Sequence, residues 1–468
     1  MTKFLFTTLP TNDLGLLTRS LPIATELAAH GHTVLFCSPA KAPSRLIADA
    51  GFANLLPKHP LYDLIAVDQS LQGLVTFIRS GQWQRYGNLF HFPRKLIPAL
   101  PIKSVPKTLE DWTIDQTGAR MGLLNAGFVR ASCEALKALM LDCGADVVVD
   151  FLNPFAVIAA RILHKPVITV IQGDAHPASQ GFIWWKRPPA YLPTPVPVVN
   201  TVLAEYGLPP IRTLAELCVG DLTLVVGAPE TDPLPEHTDV TYIGPILWQK
   251  PGTRLPERID GLSRDRPLIW VYSGNPRYAS GDDAFDSIVV LQACIAALAN
   301  EDLHVVVTTG HHTLPQEVLP LPANFRHEPY LPGLAMAQRS DLLIHHGGYG
   351  SSQTGLYTGT PAVIIPTYSE RESNARRIAA LGAGAIVSVE HASGEKRVRV
   401  DDVRATVRRV LSDPSFTDNA RRIGERLRAY GGAGHAAHLI EQFSERVGVD
   451  RDNAPRNDAA WLVEEVSI

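Results

Sequence analysis

Asp341-Leu342-Leu343-Ile344-His345-His346-Gly347-Gly348-Tyr349-Gly350-Ser351-Ser352-Gln353-Thr354 is the stretch that decides the fold. An apolar strand-like run enters three glycines within four positions, then hydroxyl side chains, then a helix-forming segment. Physically this is an anion-binding arrangement. Glycines let backbone N–H groups approach an oxyanion, Ser351 and Ser352 add hydroxyl donors, and a helix N-terminus adds partial positive charge. It is not a Walker loop, because no Gly-Lys-Ser/Thr follows. Nor is it a GxGxxG fingerprint, which more typically opens the first βαβ unit.

Working outward, the same strand–helix–strand rhythm recurs on both sides. Residues 4–8 read as a short strand, and Leu17, Leu21, Ala24, Leu27 and Ala28 follow at helical spacing. His30-Gly31-His32 stops that helix, and residues 33–37 form the next strand. Residues 145–150, 155–163 and 166–170 repeat the pattern, and strands are expected at 222–226 and 240–243. Near-continuous apolar runs suit parallel strands covered on both faces. Between Leu247 and Arg266 periodicity fades among prolines, glycines and charges, which reads as a linker. Beyond it come strands at 268–272, 304–308, 341–345 and 362–365, with helices at 284–299, around 352–357, and at 372–381. The expectation is an α/β chain of two Rossmann-like halves. An N-terminal domain spans 1–247, a linker 248–266, a second domain 267–440, and a segment 441–468 either frays or docks through Trp461.

Composition narrows the class. The chain has 468 residues, 45% hydrophobic and 19% charged, with 43 Lys+Arg against 47 Asp+Glu and a net charge of −4. A nucleic-acid binder would show a basic surplus. No run of about 18 apolar residues indicates a membrane span. Five scattered cysteines without a CxxC pair fit a reducing compartment as small buried side chains, and cytoplasm is the default expectation. Residues 70–135, with Trp83, Phe90 and Trp112, are the least regular part and either wall an apolar cleft or fill a core.

The run His346-Gly347-Gly348-x-Gly350-Ser351-Ser352, followed by Gly359-x-Pro361, Pro366 and Asn374-Ala375, resembles the donor-nucleotide signature of the GT-B-fold family 1 glycosyltransferases. These are plant and macrolide-type enzymes that use UDP- or dTDP-sugars. The resemblance covers most of the chain and is densest from 325 to 385. It implies two Rossmann-like domains facing each other across a cleft. It also implies that His346 and the backbone of Gly348, Gly350 and Ser351 hold the diphosphate, with Ser352 adding a hydroxyl. Ser273 and Asn275 would approach from the opposite loop, Tyr330 and Leu331 would lie against the nucleobase, and Asn374 would anchor the site.

Three departures bear on the chemistry. The family's ribose-binding Glu falls on Thr354. Its sugar-binding Asp-Gln pair falls on Glu370-Arg371, and a guanidinium cannot accept a hydrogen bond. The family's Gly-His pair in the first loop falls on Gly15-Leu16, so the usual base is missing. Asp13 in the same loop is the expected base, with Asp150 as orienter or alternate. The implied activity is an inverting, metal-independent transfer of a sugar from a nucleotide diphosphate to a small, largely apolar acceptor, with Trp83, Phe90 and Trp112 on the acceptor side. No cofactor besides the nucleotide-sugar co-substrate is expected, and the protein would be a monomer or homodimer. A nucleotide-sugar hydrolase or epimerase, and a binding subunit that has lost its base, are the competing expectations.

Overall fold

The structure, a computed structural model, describes residues 1–10, 14–39, 41–57, 110–249, 252–274, 287–310, 312–392 and 395–453, with positions 75, 79 and 105. Its strands are β1 (Lys3–Thr8), β2 (Thr33–Cys37), β3 (Ala53–Asn54), β4 (Val147–Phe151), β5 (Val167–Ile171), β6 (Leu222–Val225), β7 (Thr241–Tyr242), β8 (Leu268–Tyr272), β9 (His304–Thr308), β10 (Phe325–Glu328), β11 (Leu342–His345), β12 (Ala362–Ile364) and β13 (Gly384–Ile386). A small antiparallel hairpin, β14 (Val389–Ala392) with β15 (Glu395–Val398), follows.

β1 to β7 form one sheet in the order β3-β2-β1-β4-β5-β6-β7, and β8 to β13 a second in the order β10-β9-β8-β11-β12-β13. Every pairing in both is parallel. The strand order reverses between β1 and β4 in the first sheet, and between β8 and β11 in the second. Crevices for ligands form outside the carboxyl ends of strands at such reversals. Thr8 and Phe151 close the first reversal, Tyr272 and His345 the second. The glycine stretch therefore leaves the sheet at its switch point.

Helices cover both faces. α1 (Gly15–Ala29), α2 (Lys41–Asp49), α3 (Ile114–Gly118), α4 (Ala126–Cys143), α5 (Pro154–Ile162) and α6 (Val196–Glu205) belong to the first half. Leu136, Phe155 and Val202 of α4, α5 and α6 pack on one face of its sheet, and Leu21 and Leu27 of α1 on the other. α5 starts where Asn153 caps it, with Pro154 in the first turn. α7 (Glu257–Asp260), α8 (Ser287–Leu298), α9 (Gly333–Arg339), α10 (Tyr349–Thr358), α11 (Ser369–Ala380), α12 (Val400–Ser412) and α13 (Pro414–Ala429) surround the second sheet. Among the described residues no helix is long and apolar enough to cross a membrane.

Two segments differ from the expectation. Within the expected linker, α7 and the two residues after it place Ile259 and Leu262 in a core cluster with Trp270 and Met336. Two apolar side chains three residues apart are enough to dock a short turn, and their charged neighbours hide the pattern. The last helix, α14 (Gly432–Asn453), begins before residue 441 and crosses back to the first half. Its Ala436, Ala437, Ile440 and Phe443 complete the apolar layer under α1, and Glu441 meets His30 and His32 at 2.8 and 3.1 Å. Trp461 lies outside the described residues.

Ile440 is wholly buried in that layer. Ile440→Ala is expected to lower the unfolding free energy of the first half by about 2–5 kcal/mol, the range for such truncations. Denaturant unfolding followed by tryptophan fluorescence checks it; a shift as small as a surface substitution gives would remove α14 from that core.

Candidate functional site

The site grows from the end of β11. His345 is fully buried, and its Nδ1 accepts the N–H of Gly347 at 3.0 Å, which turns the chain sharply after the strand. Gly347 sits at φ +91, and a Cβ there would lie 2.5 Å from the carbonyl of Arg371. Only glycine fits that conformation and that gap. From outside, Asn374 on α11 donates through Nδ2 to the Gly347 carbonyl at 3.0 Å and to Glu370 Oε1 at 2.9 Å. A Cβ on Gly348 would lie 2.6 Å from His346 Nε2, so the loop is pressed onto that imidazole. At Gly350, in the first turn of α10, a Cβ would meet nothing within 4 Å.

Around this loop, buried polar atoms stand without partners among the described residues: Ser273 Oγ, His346 Nδ1 and Ser352 Oγ, with Ser369 Oγ at the start of α11. Ser273 and His346 follow the paired residues Tyr272 and His345, so they are neighbours on adjacent strand ends. An unsatisfied buried polar group costs about 1–3 kcal/mol, and native proteins keep few of them. They lie around a helix N-terminus that carries no side-chain cap, an arrangement chemically suited to an anionic ligand. Burial, followed by the charges of Arg371 and His345, holds the His346 imidazole well below its ordinary pKa. It is therefore neutral at pH 7, a hydrogen-bonding group rather than a cation.

The other expected residues fall as follows. Tyr330 is 39% exposed beside the loop, whereas Leu331 is packed beneath Trp270 and Met336 and offers a ligand only its backbone. The Thr354 hydroxyl donates to the Gly350 carbonyl at 2.8 Å within its own helix. Burial raises the Glu370 carboxyl above its ordinary range, and Arg371 Nη1 donates to Thr367 Oγ1 at 3.0 Å. Asp13, Asn275, Trp83 and Phe90 lie outside the described residues. Trp112, expected on the acceptor side, is instead buried in a small cluster with Phe182 and Ile183. Its two large neighbours come from a loop 70 residues away, beyond the reach of local pattern.

Asp150 ends β4 and has no exposed surface. Thr7 Oγ1 donates to it at 2.5 Å and the Asn153 N–H at 2.9 Å. Asn153 Nδ2 in turn donates to the Thr8 carbonyl at 3.1 Å. The carboxyl thus ties the end of β4 to the end of β1, the strand that precedes Asp13 in the chain. Leu16, at the position of the family histidine, packs against the apolar layer of α1.

Several contributors were not singled out from sequence. Trp184 is 38% exposed at the domain junction, donating through Nε1 to Ser373 Oγ at 3.2 Å. Trp185 meets it edge to face at 5.5 Å and lies under the Arg376 guanidinium at 4.3 Å. The run Gly181-Phe182-Ile183-Trp184-Trp185 shortly after β5 is the signal that marks them. Across the same junction, Arg377 pairs with Asp174, and the Tyr349 hydroxyl lies 2.8 Å from Asp232 Oδ2.

Two parallel doubly wound domains joined at their switch-point edges, with a glycine loop opening a helix at one of them, define the GT-B class. Comparison with known proteins agrees. Residues 292–431 match the family described as erythromycin biosynthesis protein CIII-like, C-terminal domain. The 4'-demethylrebeccamycin synthase of Lentzea aerocolonigenes is 33% identical over 204 residues, 43% of this chain and 45% of that protein. The chain thus spans about half the length of the relatives it matches. Among solved structures, the calicheamicin glycosyltransferase CalG4 superposes with a TM-score of 0.66 at 21% identity, over 96% of this chain and 99% of that one. The glycosyltransferase VinC, solved in complex with DTDP, gives 0.62 at 18% identity, over 95% and 100%. The chain has the GT-B fold, and its resemblance to the natural-product family 1 glycosyltransferases is borne out.

Burial pushes the Asp150 carboxyl up to about 7, against 3.8 ordinarily. The folded state then holds a proton that the unfolded chain releases, so the contribution of Asp150 to stability is greatest at acid pH and falls as pH rises from about 4 to about 7. Asp150→Asn should flatten this slope, leaving less difference in Tm between pH 5 and pH 8 than in the wild type. An unchanged slope would show that Asp150 carries no such proton.

The two glycines give opposite outcomes. Gly347→Ala is expected to lower Tm by several degrees, because φ +91 and the Arg371 carbonyl both oppose it. Gly350→Ala should leave Tm equal or higher, since alanine favours a helix by up to about 1 kcal/mol, yet weaken nucleotide binding. Thermal unfolding with and without UDP or dTDP separates the two.

Proposed function

We propose that this chain is an inverting glycosyltransferase that moves a sugar from a UDP- or dTDP-sugar to a small, largely apolar acceptor, a natural product. The observation that carries this reading is the set of unpartnered buried groups, Ser273 Oγ, His346 Nδ1 and Ser352 Oγ, gathered at the N-terminus of α10. Those groups, the N–H groups of Gly348, Gly350 and Ser351, and the helix terminus suit a diphosphate. The names of the relatives, and the DTDP complex of one structural neighbour, support a nucleotide-sugar donor.

In this reading the acceptor oxygen attacks the anomeric carbon from the face opposite the diphosphate. The bond from that carbon to the diphosphate oxygen breaks, and its electron pair leaves on the diphosphate. Fixed donors aimed at that growing charge are the main source of acceleration. The acceptor's proton goes to Asp13, and Asp150 holds the end of β1, the strand that precedes Asp13 in the chain. Proton removal by a placed base is worth about 10²–10⁴ in rate. Trp184 and Trp185 offer the acceptor an apolar wall beside α11. No metal or further cofactor takes part, and the protein works in the cytoplasm as a monomer or homodimer.

Thermal unfolding with millimolar UDP, dTDP, GDP, ADP and NAD⁺ tests the donor site first. A ligand at about 100 times its Kd adds roughly 2.7 kcal/mol of stability. UDP or dTDP should raise Tm while NAD⁺ does not, and His346→Ala should lose most of that shift. Sugar transfer to an apolar phenol or alcohol should then fall in Asp13→Asn by at least about 100-fold. Stabilisation without transfer to any acceptor would favour a binding subunit, donor cleavage by water alone a hydrolase, and no stabilisation by any nucleotide would remove the donor reading.

A further inference from the structure

Arg377 and Arg19 are buried as whole residues, 9% and 8% exposed. Their surroundings differ. Arg377 is paired with the Asp174 carboxylate and also donates to the Thr231 carbonyl at 3.3 Å. Arg19, on α1, has no carboxylate at ion-pair distance among the described residues. Its Nη1 donates to Gln172 Oε1 at a long 3.4 Å, and its guanidinium lies 4.4 Å over the Tyr349 ring. A guanidinium has five N–H donors in a planar fork, and a desolvated guanidinium without a close carboxylate is costly.

Its location gives the charge a purpose. Tyr349 is the first residue of α10, so Arg19 stands at the helix terminus where the glycine loop opens. Gln172 ends the strand region of β5 and reaches toward Glu370 Oε1 at 3.5 Å. Glu370 is tied to Asn374 at 2.9 Å and feels the Arg19 charge without an ion pair at contact distance among the described residues. The positive end of a helix and a fixed cation therefore share one buried space, from opposite domains. Two like-signed features repel in the unliganded protein, and an anion between them satisfies both.

We propose that Arg19 is a donor-binding residue whose guanidinium holds anionic oxygen of the nucleotide sugar. This rests on the glycosyltransferase reading and extends it to a residue of the opposite domain. The oxygen belongs either to the diphosphate or to a carboxylate on the sugar, and the two sources separate by experiment. The position lies in α1, three residues beyond Leu16, so the helix that lost the family histidine supplies a cation instead.

Titration calorimetry of wild type, Arg19→Met and Arg19→Lys with UDP, dTDP, UDP-glucose and UDP-glucuronate tests this. Methionine keeps the apolar stem and removes the charge. Arg19→Met is expected to weaken binding by about 10- to 100-fold, the value of one or two hydrogen bonds to a charged group. Lysine should recover part of it. A loss of similar size for the free nucleotide and both sugars assigns the contact to the diphosphate. A loss confined to UDP-glucuronate assigns it to a sugar carboxylate. Unliganded Arg19→Met should unfold at the same temperature as wild type or higher, because an unpaired buried charge is gone. Unchanged affinity for every ligand, or a marked fall in unliganded Tm with proportionate loss of all binding, overturns the proposal and leaves the donor site itself standing. If the wild type binds none of the four, the donor reading fails and this proposal with it.

Discussion

The buried seam between the two sheets is the constraint on which the rest depends. Asp232, from the loop after β6, accepts the Gly173 N–H and the Thr231 hydroxyl, each at 2.8 Å, and faces the Tyr349 hydroxyl at the same distance. A few residues away, Asp174 holds the Arg377 guanidinium and accepts the Ser373 hydroxyl at 3.1 Å. Burial raises Asp232 to about 6 despite these partners. Removing one member of such a set leaves the other buried and unpaired, which is far costlier than losing a surface pair. Polar partners this directional accept one mutual placement. That placement sets the first turns of α10 and α11 against the carboxyl edge of the first sheet.

How much of this was legible follows from the range of the forces involved. The glycine stretch could be read because its signals are local: an apolar run, residues free of a Cβ, and hydroxyls at the start of a helix. The helix nevertheless starts at Tyr349, earlier than the pattern around 352–357 indicates. Tyr349 is held there by Val226 and Asp232 of the other domain, contacts invisible to any window on the sequence. β10, with the pattern Phe325-Arg326-His327-Glu328, escapes notice because an edge strand needs little apolar content. Arg19 escapes for the opposite reason, a charge set among Leu17, Leu21 and Ala24 on a helix whose period says core.

The place of the missing histidine is now occupied by packing. Leu16 adds to the apolar layer of α1, and Asp150 is bound to Thr7 and Asn153. A fully buried carboxyl cannot touch a substrate in this arrangement. What it does is fix where the β1 loop begins, by pinning the end of β1 to the end of β4.

Part of the unliganded protein's energetic cost sits at this loop. Among the described residues, unpartnered hydroxyls at Ser273 and Ser352, a neutral buried imidazole, a helix end without a side-chain cap and an arginine without a carboxylate at ion-pair distance all oppose folding. A core built only for stability would have none of them, and natural folds break such rules where function requires it. At an effective dielectric of about 20, one charge pair at about 4 Å is worth roughly 4 kcal/mol. A dianion between Arg19 and the end of α10 would recover much of what their exposure to each other costs. The anchored seam fixes where these groups stand, which is what a ligand held between the two domains would need.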